Sequence, residues 1–128
     1  MSYYFSKQLD QDFDAAITHV TEALKAHGFG VLTDIDVKAT FKKKLDADFR
    51  PYRILGACNP GFAFKALSAE DKVGTMLPCN VIVQQLPSGK VEVAAIDPMA
   101  SMMAIKNDAL GGIAVNVRDL LQQVIEEL

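Results

Sequence analysis

Val81-Ile82-Val83-Gln84-Gln85-Leu86-Pro87-Ser88-Gly89-Lys90-Val91-Glu92-Val93-Ala94-Ala95-Ile96 consists of two β-branched runs around a Pro-Ser-Gly-Lys connection. Side chains branched at Cβ favour extended backbone, and Pro87 with Gly89 marks a tight turn, so the segment predicts an antiparallel hairpin. Asp97-Pro98 closes it. The remaining elements are placed against this pair of strands.

Upstream, Tyr3 to Leu9 begins aromatic and runs into Asp10-Gln11-Asp12, which predicts a strand and then a helix capped by Asp10 or Asp12. Phe13, Ala16, Ile17, Val20 and Leu24 recur at helical spacing, and Gly28 stops the pattern. Phe29 to Ile35 predicts a second strand, after which Asp36 caps a short helix through Leu45. Pro51 cannot continue a helix and pushes Arg50 toward extended backbone, so Tyr52 to Ala57 reads as a third strand. Asn59-Pro60 is a strong helix start, with Asn as cap and Pro in the first helical position, and this short helix ends near Ser68.

Beyond the hairpin a Met-rich stretch leads to Gly111-Gly112, and Ile113, Val117, Leu120, Leu121, Val124 and Leu128 form the apolar stripe of a closing helix. The order is β-α-β-β-β-β-α with two short inserted helices. Helices in such a chain collect on one face of a mostly antiparallel sheet, which predicts an α+β two-layer sandwich. The other face of the sheet then needs a cover, and a homodimer supplies one.

A chain of 128 residues fits a single domain over 1–128, and half apolar with 23% charged residues is the composition of an ordered globule. The formal net charge of −3 makes no electrostatic case for nucleic acid as a partner. No apolar run approaches the roughly 20 residues that span a bilayer, and Met1 to Lys7 lacks the basic and apolar regions of a secretory signal. The expectation is a cytoplasmic protein without a membrane partner, its two cysteines kept as free thiols.

Both cysteines precede an asparagine, in Ala57-Cys58-Asn59-Pro60 and Leu77-Pro78-Cys79-Asn80. Cys58 sits just before a helix N-terminus, where unpaired N–H groups and the helix dipole stabilise a thiolate, so it is the candidate nucleophile. Its plainer role is a small side chain packed at a crowded strand-to-helix turn. Cys79 opens a strand with no helix behind it and reads as structural. Asn59 and Asn80 can donate and accept together, which suits orienting a bound group or fixing a turn. Asp34 and Asp97 stand at strand ends, where a carboxylate serves as base, ligand or turn former.

No Cys-x-x-Cys motif, Gly-rich phosphate loop or paired His-Glu metal motif occurs, and no cofactor is assigned. Two binding chemistries therefore accompany the thiol-enzyme reading. One, the leading reading, is a homodimeric module that holds a small ligand or partner with Cys58, Asn59, Cys79, Asn80, Asp97 and Asp34. The other is a cuprous ion held by the thiols with Met76, Met99, Met102 and Met103 as soft ligands.

Four segments together resemble one known family: Phe29 to Lys38, Ile54-Leu55-Gly56-Ala57-Cys58-Asn59-Pro60, Leu77-Pro78-Cys79-Asn80-Val81 and Ala95-Ile96-Asp97-Pro98-Met99. It is the set of bacterial and archaeal domains known as domain of unknown function 302. The resemblance covers nearly the whole chain. It implies a small α+β protein grouped with the TATA-binding-protein-like sheet architecture, and a dimer. It implies no established reaction, substrate or cofactor, and shared architecture is no argument for DNA binding.

Overall fold

The computed structural model describes residues 2–128, and its centre is the hairpin. Strands β4 (Cys79–Gln85) and β5 (Val91–Ile96) pair antiparallel, with Val81 opposite Ala95 and Val83 opposite Val93. Those four side chains are fully buried. Successive residues of a strand point to opposite faces, so Ile82, Gln84, Glu92 and Ala94 occupy the other side.

Three further strands complete the sheet: β1 (Tyr4–Leu9) beside β5, β3 (Tyr52–Cys58) beside β4, and β2 (Gly30–Asp36) beside β3. The order is β1-β5-β4-β3-β2 with every neighbour antiparallel. Helices α1 (Phe13–Ala26) and α5 (Asp108–Glu126) lay Ala16, Val20, Leu24, Val117, Leu121 and Val124 onto the inward strand residues to make the main core. Short helices α2 (Val37–Leu45) and α3 (Pro60–Ala69) follow β2 and β3. The expected α+β sheet-and-helix architecture and its element order are present.

Local chemistry explains the starts. Asp36 accepts a hydrogen bond from Ala39 N–H at 2.9 Å, and Asn59 Oδ1 accepts one from Phe62 N–H at 3.4 Å. Each side chain satisfies a helix donor that has no partner inside the helix. Asp12 holds the N-cap position of α1, but its side chain makes no capping bond.

Several boundaries depart from expectation. Helix α5 begins at Asp108, so Gly111 and Gly112 lie inside it. Asn107 Oδ1 accepts from Ala109 N–H at 3.1 Å, and Leu110 is buried. A cap and an anchored apolar side chain, worth roughly 1 kcal/mol and 2 kcal/mol, offset two glycines costing about 1 kcal/mol each. The Met-rich stretch contains a short helix α4 (Pro98–Ser101), and a 3-10 helix spans Asp71–Met76. In β2 the register slips between Val31 and Thr33, leaving Leu32 as the extra residue of a bulge. Behind that bulge Gly56 meets its neighbours closely: a Cβ there would collide with Thr33 Oγ1 and lie 2.7 Å from Pro78 Cγ.

The face away from α1 and α5 presents Tyr4, Ile35, Tyr52, Ile54, Ile82 and Ala94. Glu92 is the charged side chain on the outward strand positions, and it accepts from Gln84 Nε2 at 2.8 Å. Arg50, just before β3, donates to Gln84 Oε1 at 2.8 Å and lies over the Phe49 and Tyr52 rings. The amide thus links one positive and one negative group into a locally neutral chain. Among the described residues no helix is long and apolar enough to cross a membrane.

Candidate functional site

Where β3 and β4 end beneath α3, the helices do not close completely on the sheet and leave a cavity of about 270 Å³. Its floor is Ala57, Cys58 and Cys79; α3 contributes Asn59, Phe62, Ala63 and Ala66. Helix α5 supplies Ile113, Ala114 and Val117, and Leu32 and Leu67 line it while remaining largely exposed at the surface. Among the described residues no charged side chain lines it.

Strand pairing brings the thiols to this place. Ala57 faces Cys79 across the β3–β4 ladder, so Cys58 is one residue away from that pair. Cys58 ends its strand and is partly exposed, whereas Cys79 is buried. Burial pushes the Cys79 thiol up to about 11, and the nearby Cys58 adds to the shift. Cys79 therefore stays protonated around neutral pH.

Asn59 joins the thiols because it is both the residue after Cys58 and the cap of α3. Its Oδ1 is occupied by Phe62 N–H, which leaves the amide Nδ2 as the group that can donate. Gly28 lies against that nitrogen: with φ at +85° it ends the α1 turn, and a Cβ there would be 3.1 Å from Asn59 Nδ2.

The other sequence candidates lie elsewhere. Asn80 follows Cys79 on the strand and so points to the open face, opposite Gly56. Asp97 accepts from Met99 N–H at 2.9 Å as the cap of α4, and its other oxygen is 3.4 Å from Arg118 Nε of α5. Asp34 takes both nitrogens of a fork from Arg53 at 2.8 Å, with Asp36 3.7 Å from the third nitrogen. That hydrogen bond raises the Arg53 pKa, against a smaller opposing effect of burial. Cys58, Asn59 and Cys79 are brought together; Asn80, Asp97 and Asp34 are not among the cavity residues.

Of the methionines, Met102 shares the cavity with both thiols, while Met99 and Met103 line a separate depression beside α5. Among the described residues no group of three or more His, Cys, Asp or Glu side chains could hold a metal ion. Ile113, Ala114 and Leu77 were invisible as site residues in the sequence. Their signal was hydrophobic periodicity or a bare apolar flank, which reads as core.

Such a cavity can enclose a small molecule in mostly hydrocarbon surroundings, with two thiols and one amide as its polar side chains. The comparisons with known proteins bear on which family built it. No curated protein matches the chain. Among solved structures it is similar to a crystal structure of an uncharacterized conserved DUF302 protein from Bacillus stearothermophilus, with 28% identity, 98% of each chain covered and a TM-score of 0.91. Residues 5–128 match the family model described as Domain of unknown function DUF302, and the chain belongs to that family.

Proposed function

We propose that this protein is a homodimeric binding module that holds a small, mainly apolar ligand in the cavity between α3, α5 and the ends of β3 and β4. The observation that carries the reading is the apolar cavity itself, which gathers Cys58, Asn59 and Cys79 in one wall. Ligand sites are concave, largely apolar and furnished with a few polar groups, and this one has that character. The dimer part is supported by the open sheet face, whose outward positions mix aromatic and aliphatic side chains with the neutral polar Ser6, Gln8, Asn80 and Gln84, charge being confined to the Arg50–Gln84–Glu92 chain.

Native mass spectrometry of protein purified from its own host tests the ligand. The expected result is a retained small molecule on the wild type that is missing from Ala63→Phe and from Ala114→Leu, both of which fill the cavity. A wild-type protein without added mass would sink the reading.

A second reading, a thiol enzyme with Cys58 as nucleophile, is favoured by one observation: Cys58 is partly exposed directly before the N-terminus of α3. The two readings separate in the same experiment. A bound ligand leaves on denaturation, whereas an enzyme intermediate stays as added mass on Cys58 and disappears in Cys58→Ala.

A further inference from the structure

The polar side chains of the cavity come from the strand ends and the start of α3, while α5 contributes only hydrocarbon. A ligand that fits this pattern has one polar end and one apolar end. Its size follows from volume: a dry cavity of about 150 Å³ takes benzene, so 270 Å³ accommodates about ten non-hydrogen atoms.

The available polar groups also fix the character of the polar end. Asn59 Oδ1 is committed to Phe62 N–H, so the side chain offers its Nδ2 hydrogens. Thiols are weak donors and weak acceptors. With no cationic side chain in the lining, and with Pro60 lacking an N–H at the first position of α3, a carboxylate or phosphate would be buried without a counter-charge, at a cost of several kcal/mol. With no carboxylate in the lining, an ammonium group meets the same penalty.

Resting on the cavity reading above, we infer that the ligand is an uncharged carbonyl compound of about ten non-hydrogen atoms, its oxygen accepting from Asn59 Nδ2 beside Cys58 and its hydrocarbon tail lying along α5. The Cys79 thiol, kept protonated by burial, adds no charge to that wall.

The test uses four aromatic probes of matched size: 4-phenyl-2-butanone, butylbenzene, 3-phenylpropanoate and 3-phenylpropylammonium. Binding is read from the methyl resonances of Ala63, Ala66 and Ala114. The ketone is expected to shift them and to bind at least tenfold more tightly than either ion. Asn59→Asp keeps the capping oxygen but removes the donor. It is expected to weaken the ketone at least fivefold while leaving butylbenzene within twofold. If either ion binds as tightly as the ketone, or if Asn59→Asp leaves the ketone unchanged, the carbonyl inference is overturned and the cavity reading stands. If neither neutral probe shifts those methyls, both fall.

Discussion

Cys79 and Asn80 are consecutive, yet one side chain is buried under the helices and the other faces out from the opposite side of the sheet. The thiol carries a measurable consequence. Its pKa rises from about 9 to about 11 on folding because burial penalises the thiolate. Between those values the unfolded chain has released the proton and the folded chain has kept it. The Cys79 contribution to stability is therefore complete below pH 9 and lost as pH rises through 11, on the order of 2 kcal/mol. Urea unfolding of wild type and Cys79→Ala across pH 7 to 11 should show the difference between them shrinking in that window. A constant difference would contradict the assignment. Period-two alternation makes the opposite facing of Cys79 and Asn80 legible in the sequence once a strand is placed at Val81. The proximity of Cys58 to Cys79 is not, because it depends on the β3–β4 register.

At the scale of elements, the hairpin, α1 and the Asn59-Pro60 helix were legible because each carries its own local signal: alternation, 3.6-residue periodicity, or a cap followed by proline. The start of α5 was hidden, since two adjacent glycines read as a break unless the cap at Asn107 and the buried Leu110 are weighed against them. Those glycines are exposed, and a Cβ on either meets nothing within 4 Å. Gly111→Ala and Gly112→Ala are thus expected to stabilise the protein by about 0.5 to 1 kcal/mol each, through lower entropy of the unfolded chain. Thermal unfolding of the single and double variants checks this, and a lowered midpoint would show that the helix start needs glycine. The 3-10 helix at Asp71–Met76 lacked any periodic pattern from which to read it.

For the whole molecule, the proposed dimer turns on the second face of the sheet. Five strands about 4.8 Å apart and about six residues long present a face on the order of 500 Å², so a pair of copies joined through it would bury about 1,000 Å². That lies at the lower end of stable interfaces. Asn80, Ser6 and Gln8 on this face carry groups that both donate and accept, so they can pair with polar groups of a second copy related by a two-fold axis. Ile82→Lys places a charge at the middle of this face, away from the cavity. Sedimentation velocity should give a dimer for wild type and a monomer for the variant. A wild-type monomer, or a variant that remains dimeric, would refute the arrangement. The open face of the sheet was legible from the element order, whereas the neutral Arg50–Gln84–Glu92 chain required the register of β4 and β5.

The bulge in β2 separates two tasks that a regular strand would combine. Val31 pairs with Ala57 and Thr33 with Gly56, so Leu32 takes no place in the ladder, and its side chain lines the cavity while largely exposed. The residue can be exchanged for a larger or smaller one, or omitted, with the strand partners on either side unchanged. Asp34 would still meet Arg53. A mouth built on a residue outside the ladder can drift toward new molecules while the scaffold beneath it keeps its pairing.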